Sequence, residues 1–283
     1  MSGDFDKRLT PARPDLAAEY LRGKVQAQAY LPGCEMLVVE ETLPLFPQPT
    51  REGPIDTHAL FGESVMVYEI DEEGWAWGQL TADGYVGYLP ADGLREPVAT
   101  LNRKVSTPRT LVYPGPSMKL PTWGALPLGA RLAVAQESGD FAEVPGLGCV
   151  WRGHLAGLDE VGADFVAVAE RFMDAPYLWG GKTFCGLDCS GLIQIALGAS
   201  GVKAPRDTDL MEKALGLPLD PATDLLRGDI VFWKGHVGVM RDAQTLLHAS
   251  GHHMLVVSEP LASARARIVE KTGADVTSIR RLV

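Results

Sequence analysis

The 283-residue chain has no apolar run long enough to cross a bilayer, and its opening residues, Met1-Ser-Gly-Asp-Phe-Asp-Lys-Arg-Leu9, lack the apolar core of a signal peptide. The sequence therefore predicts a protein with no membrane partner that works in the cytoplasm. Basic blocks are missing as well. The formal net charge is −10 and the isoelectric point about 5.1, which argues against a nucleic-acid partner and against electrostatic attraction to an anionic wall. Cysteine is scarce. Cys34, Cys149, Cys185 and Cys189 are too scattered for a disulfide framework, and a reactive thiol without an oxidised partner suits a reducing compartment. Nucleotide and metal motifs also fail. Gly181-Lys-Thr183 ends like a phosphate-binding loop, but the glycine needed five residues earlier is Pro176, which leaves Lys182 as a solvated or cleft-rim residue. Cys185, Cys189, His236, His248, His252 and His253 are all zinc-ligand types. However, Cys-x-x-x-Cys without a paired Cys-x-x-Cys is poor zinc spacing, and His252 and His253 read as exposed loop residues after Gly251. The sequence calls for no cofactor and no metal.

What is present is a chain rich enough in hydrophobic residues, at 46%, to build real cores in two or three domains. Residues 1–33 read as an N-terminal arm in which Asp15–Arg22 is a short helix stopped by Gly23. Residues 34–96 carry short strands, Ser64–Tyr68, Trp75–Leu80 and Tyr85–Leu89, separated by turns at Asp71–Gly74 and Ala82–Gly84, the pattern of a small barrel. A weaker copy follows over 97–157, with Ala130–Val134, Asp140–Val144 and Gly148–Arg152 in the corresponding places. Residues 158–283 read as an α+β domain. Asp164–Met173 is an amphipathic helix, Asp207–Leu215 a short one, and Asp229–Trp233, His236–Met240 and Gln244–Ala249 are strands.

The chemistry concentrates in Leu187-Asp-Cys-Ser-Gly-Leu-Ile193, where a loop becomes an apolar helix that Gly201 ends. Asp188 falls near the N-cap and Cys189 in or just before the first turn. Backbone N–H groups and the positive dipole end there stabilise a thiolate and offer donors to a developing oxyanion. Two histidines supply the remaining parts. A hairpin centred on Asp242 would set His236 directly opposite His248 on one face of the ladder, so that one imidazole serves as base and the other holds its tautomer.

Taken in order, Asp188-Cys-Ser-Gly-Leu192, Arg227-Gly-Asp-Ile-Val-Phe232, His236-Val-Gly-Val239 and Leu247-His-Ala249 resemble the NlpC/P60 cysteine peptidases. The resemblance covers roughly residues 158–283 and implies a papain-like fold that cleaves peptidoglycan peptides. It also implies Cys189 as nucleophile, His236 as base and His248 as the orienting third residue. Tyr177, in Pro176-Tyr-Leu-Trp-Gly-Gly181, matches the family tyrosine beside the nucleophile. The two preceding segments resemble bacterial SH3-like modules.

With Arg13-Pro-Asp-Leu-Ala-Ala18 in front, this order resembles the family branch of γ-D-glutamyl-L-diamino-acid endopeptidases. These act on murein tri- and tetrapeptides with a free N-terminal L-Ala. The resemblance implies a substrate pocket that includes Asp207, with Asp188 and Ser190 beside the nucleophile. It also implies an acid and a tyrosine from the first SH3-like module, for which Glu52 and Tyr85 or Tyr88 are the candidates. Arg206 has two readings, a partner of Asp207 or of a substrate carboxylate. Two other functions compete: a different NlpC/P60 thiol amidase or acyltransferase, and a wall-binding module without catalysis.

Overall fold

The computed structural model describes residues 5–162, 164–220 and 222–282, so the first four residues of the N-terminal arm lie outside the described residues. The chain divides between Leu158 and Asp159 into two compact units.

The first unit is built from two β-modules. In the first module the strands Val86–Pro90, Trp75–Leu80, Ser64–Ile70, Cys34–Val38 and Leu94–Arg95 lie side by side in that order, and Thr42–Leu45 pairs with Thr57–Leu60. Alternate side chains make its core, among them Val38, Leu45, Val65, Leu80 and Leu89. The Asp71–Gly74 turn is held by Asp71 Oδ1, which accepts from the backbone N–H of Glu73 and Trp75, while Gly74 takes a positive φ of 85°. Tyr85, one of the two candidate tyrosines, belongs to this core and is 4% exposed.

The second module repeats the layout. Gly124–Pro127, Arg109–Tyr113, Gly148–Trp151, Phe141–Val144 and Gln136–Ser138 form one sheet, and Arg131–Leu132, Arg103–Val105 and Leu155–Gly157 form a smaller one. Val105, Val112, Leu126, Leu132 and Val150 fill its separate core. The strand expected over Ala130–Val134 shrinks to Arg131–Leu132.

The Asp15–Arg22 helix does not form. Leu16–Ala18 is a strand, parallel to Ala29–Leu31, and Glu19–Leu21 is a single 3₁₀ turn. The physical reason is tertiary. Strand and turn together bring Leu16, Ala18 and Leu21 onto Tyr68 and Trp77 of the first module, and that burial outweighs helix propensity over so short a stretch. Arg13 anchors the arm, its guanidinium 4.4 Å from the Trp77 ring centroid and hydrogen-bonded to Asp15 and Glu69.

The second unit is α+β. Six antiparallel strands run in the order Leu217–Pro218, Ser278–Arg281, Ile230–Trp233, His236–Met240, Thr245–Ser250 and Leu255–Pro260. Among the described residues four helices accompany them: α1 (Phe165–Glu170), α2 (Cys189–Ala199), α3 (Thr208–Ala214) and α4 (Leu261–Thr272). Asp164 caps α1 by accepting from the N–H groups of Val166 and Ala167. Helix α2 packs on the His236–Met240 and Thr245–Ser250 strands, and α4 on Leu255–Pro260. Covered sheets need apolar residues on both faces, which is why Ile230–Trp233 is buried throughout. Val231, Trp233, Met240 and Leu246 meet Ala264 of α4 in one core. No helix among the described residues is long and apolar enough to cross a membrane.

Candidate active site

Helix α2 begins at Cys189 because Asp188 is its N-cap: Asp188 Oδ1 accepts the Gly191 N–H at 2.7 Å. A close approach fixes the next glycine. A Cβ on Gly191 would lie 2.1 Å from the Gly181 carbonyl oxygen, so the Asp-Cys-Ser-Gly turn and the Trp-Gly-Gly loop can meet only without side chains there. Asp188 Oδ2 accepts from the Gly180 N–H at 2.9 Å and from Arg206 Nη2 at 2.6 Å. Arg206 Nη1 donates to Ser190 Oγ at 2.6 Å, and Ser190 Oγ lies 3.3 Å from Asp188 Oδ1. Arg206 is 1% exposed.

Three residues singled out in the sequence meet here. Arg206 is a buried partner of Asp188 and Ser190. The carboxylate of Asp188 is committed to backbone and Arg206 donors, and the hydroxyl of Ser190 to Arg206 and Asp188. Both side chains, read from the sequence as substrate contacts, are held in this network at the helix start.

The two histidines meet, but not in the register anticipated. Val239 opposes Leu247 and Met240 opposes Leu246, so the hairpin centres on Ala243, two residues out of step with a direct His236–His248 pair. Asp242 shapes the longer turn by accepting from the N–H groups of Gln244 and Thr245. His248 therefore faces Gly238, where a Cβ would sit 3.1 Å from the His248 Cβ. A shift of two residues preserves the face, and the imidazoles bridge the diagonal. His236 Nε2 lies 2.7 Å from His248 Nδ1, with the ring centroids 5.0 Å apart. The tight Lys234-Gly235 turn, with Gly235 at φ 76°, starts the His236 strand and brings the Trp233 ring within 5.6 Å of His236.

Two residues missed from the sequence extend this pair. His248 Nε2 lies 2.9 Å from Glu259 Oε1, and Arg267 donates through Nη1 to Glu259 Oε2 at 2.7 Å and through Nη2 to Oε1. The signal was a parity: Glu259 opposes Leu246, so it shares the face of His248 two residues along.

Electrostatics differ from the expected thiolate. Burial, and then Asp188, push the Cys189 thiol up to about 12, although Arg206 and the backbone N–H groups of Val237 and Ser190 act the other way. Burial, followed by His248 and Arg267, depresses His236 to about 3, with Glu259 opposing. Both shifts favour a neutral thiol beside a neutral imidazole, with the burial of both groups outweighing the helix terminus.

Comparison with known proteins bears on what this arrangement is. Residues 174–269 match the family model described as NlpC/P60 family, and residues 45–94 match the bacterial dipeptidyl-peptidase Sh3 domain. The chain carries an NlpC/P60 domain behind a bacterial SH3 domain. It is 29% identical over 222 residues to the gamma-D-glutamyl-L-lysine dipeptidyl-peptidase of Bacillus subtilis (strain 168), covering 69% of this chain and 72% of that protein. It is 37% identical over 87 residues to dipeptidyl-peptidase 6 of Lysinibacillus sphaericus, a match that spans 30% of this chain and only 31% of that relative. In fold it resembles an NlpC/P60 family protein from Bacillus cereus ATCC 10987, with a TM-score of 0.73 at 19% identity, over 88% of this chain and 99% of the other.

Within the NlpC/P60 unit, Tyr177 forms a parallel bridge with Leu187, donates its N–H to the Met254 carbonyl and packs its ring near Gly251. Burial, then the neighbouring Cys189 and Asp188, raise its phenol, which stays a hydrogen-bond donor. Asp207 is half-buried at the N-cap position of α3, where its side chain makes no capping bond. Lys182 is not solvated: it is 4% exposed, in a short strand paired with Gly186–Leu187. Cys185 is exposed in the turn of that hairpin. His252 and His253 are exposed and engage Lys271 and Ser250. Among the described residues no three His, Cys, Asp or Glu side chains are grouped to hold a metal ion. In the first unit, Tyr88 is half-buried and accepts from Arg13 Nη1 at 3.2 Å, while Glu52 is exposed on the Thr50–Gly53 loop.

Proposed function

We propose that this peptidase hydrolyses the amide between γ-D-Glu and a diamino acid in murein peptides whose N-terminal L-Ala is free. The observation that carries the reading is the start of α2 at Cys189, whose thiol meets the backbone N–H of Val237, the neighbour of His236, with His236 in turn hydrogen-bonded to His248. The name of the B. subtilis relative supplies the bond class, and that of the L. sphaericus relative the release of a dipeptide.

The chemistry follows from the neutral resting pair. As Cys189 Sγ attacks the γ-carbonyl carbon, its proton passes to His236 Nδ1, the nitrogen left over once Nε2 faces His248. The tetrahedral oxyanion is met by N–H groups at the start of α2 and by the Tyr177 hydroxyl. His236 then protonates the departing amine, which leaves a thioester. Water attacks the thioester with His236 again as base, and the dipeptide leaves as a carboxylic acid while the thiol is restored.

Asp207 supplies the carboxylate for the L-Ala ammonium. An acylated amine would set an uncharged, bulkier group against that carboxylate, and a site built for a polar partner rejects such an analogue strongly. A free L-Ala amine arises once the peptide has left the glycan, so the reading extends to wall-peptide recycling in the cytoplasm.

The test is cleavage of L-Ala-γ-D-Glu-L-Lys and L-Ala-γ-D-Glu-diaminopimelate, each with and without N-acetylation, read by mass spectrometry. Release of L-Ala-γ-D-Glu from the free peptides alone is expected. Full turnover by Cys189→Ala, or equal rates on acetylated peptide, would sink the reading.

A further inference from the structure

The hydrogen-bond chain does not stop at the second histidine, and the fixed chemistry of its outer end determines the protons along the whole of it. Arg267, on α4, places one guanidinium N–H on each oxygen of Glu259, at the end of the last strand of the meander. A carboxylate held this way is ionised at any working pH and can only accept. His248 must then donate from Nε2 to Glu259 Oε1. A neutral imidazole has one proton, so His248 Nδ1 carries a lone pair. That lone pair faces His236 Nε2 at 2.7 Å, so His236 must donate from Nε2. What remains on His236 is Nδ1 with its lone pair, the form a base needs. The opposite polarity, with His248 Nδ1–H donating, would load His236 Nδ1 with a proton and leave no base.

We infer that Glu259 and Arg267 are positioning residues which set the tautomers of both imidazoles, making the site a five-membered relay of Cys189, His236, His248, Glu259 and Arg267. The inference rests on the reading of His236 as base. Glu259 also lies where it offsets the positive charge that develops on the imidazole pair during proton transfer, and Arg267 moderates it. Other groups that act on the relay are His252 and His253 from the loop before the Leu255–Pro260 strand and, on the thiol side, Asp188, Arg206 and Tyr177. Glu259 raises the basicity of both histidines and Arg267 lowers it.

Two measurements on the full chain test this. Selective ¹⁵N-histidine NMR of the unmodified protein should show Nε2–H on both His236 and His248. Nδ1–H on His236 would overturn the inference, whatever the variants do. Kinetics supply a sign. Glu259→Gln should lower kcat roughly 10- to 100-fold, less than removal of a whole general base, with little change in KM. It should also move the acid limb of the kcat/KM profile to lower pH, while Arg267→Gln moves it to higher pH. A purely structural role would lower Tm in both variants without opposite shifts. Limbs that stay in place or move together reject the relay. The parent reading fails differently: turnover by Cys189→Ala would strike the reaction while leaving the tautomers as measured.

Discussion

Two arginine–carboxylate pairs flank the reacting groups, and they differ in what the carboxylate holds. In the Arg206–Asp188 pair the side chains are 1% and 9% exposed, and every other bond of Asp188 goes to a backbone N–H or to Ser190. In the Arg267–Glu259 pair they are 18% and 14% exposed, and one oxygen also meets an imidazole. The first pair fixes where a helix begins. The second fixes where protons reside. The same ion pair therefore serves geometry when it is sealed among backbone groups and serves protonation when a titratable ring is its third member.

The comparison breaks first at the histidines. With His236 as the proposed base, His236→Ala should lower kcat on the order of 10⁴- to 10⁶-fold. His248→Ala leaves that base in place without its orienting partner and should cost less, about 10²- to 10⁴-fold, in the same single-turnover assay. His252→Ala, in the exposed loop, should leave kcat unchanged. Equal losses at His236, His248 and His252 would dissolve the relay as a distinct region.

The scaffold side breaks in stability before it breaks in chemistry. Arg206→Met leaves the Asp188 carboxylate buried without its cation and should cost roughly 3–5 kcal/mol in urea unfolding, as a broken buried pair does. Arg267→Gln, at a partly exposed pair, should cost about 1 kcal/mol or less. Equal losses would show that the two pairs do one job.

The smallest effect concerns acid. Glu170 is held down to about 2 by Arg227 and Arg241, against an ordinary value of 4.5. A carboxyl depressed in the folded state stabilises fully above the unfolded value and loses that contribution as pH falls through the folded value. The Tm advantage of the wild type over Arg227→Gln should thus be constant above about pH 4.5 and shrink towards pH 2. An advantage that grows on acidification would contradict the assigned pair.

The parts of the site that are local in the chain were legible. Asp188 before an apolar helix is a cap by its own chemistry, and the Cys189 helix, the Asp164 cap and the strands around Asp229–Trp233 follow from periodicity and capping residues. The hairpin face was also legible, because parity survives a two-residue error in register. The register itself was not: the turn that Asp242 organises is one residue longer at its far end than the shortest polar turn, and nothing in the composition separates the two. Asp15–Arg22 has the residues of a helix and becomes strand and turn because Tyr68 and Trp77 offer it a surface.

Sequence alone determined a thiol at a capped helix start, two histidines on one face and the family these belong to. Tertiary structure decided that Arg206 closes on Asp188, that Glu259 and Arg267 complete the histidine pair, and that burial keeps thiol and imidazole neutral. The reason is that these depend on which distant charges share a desolvated volume, a property of packing that spacing along the chain does not encode.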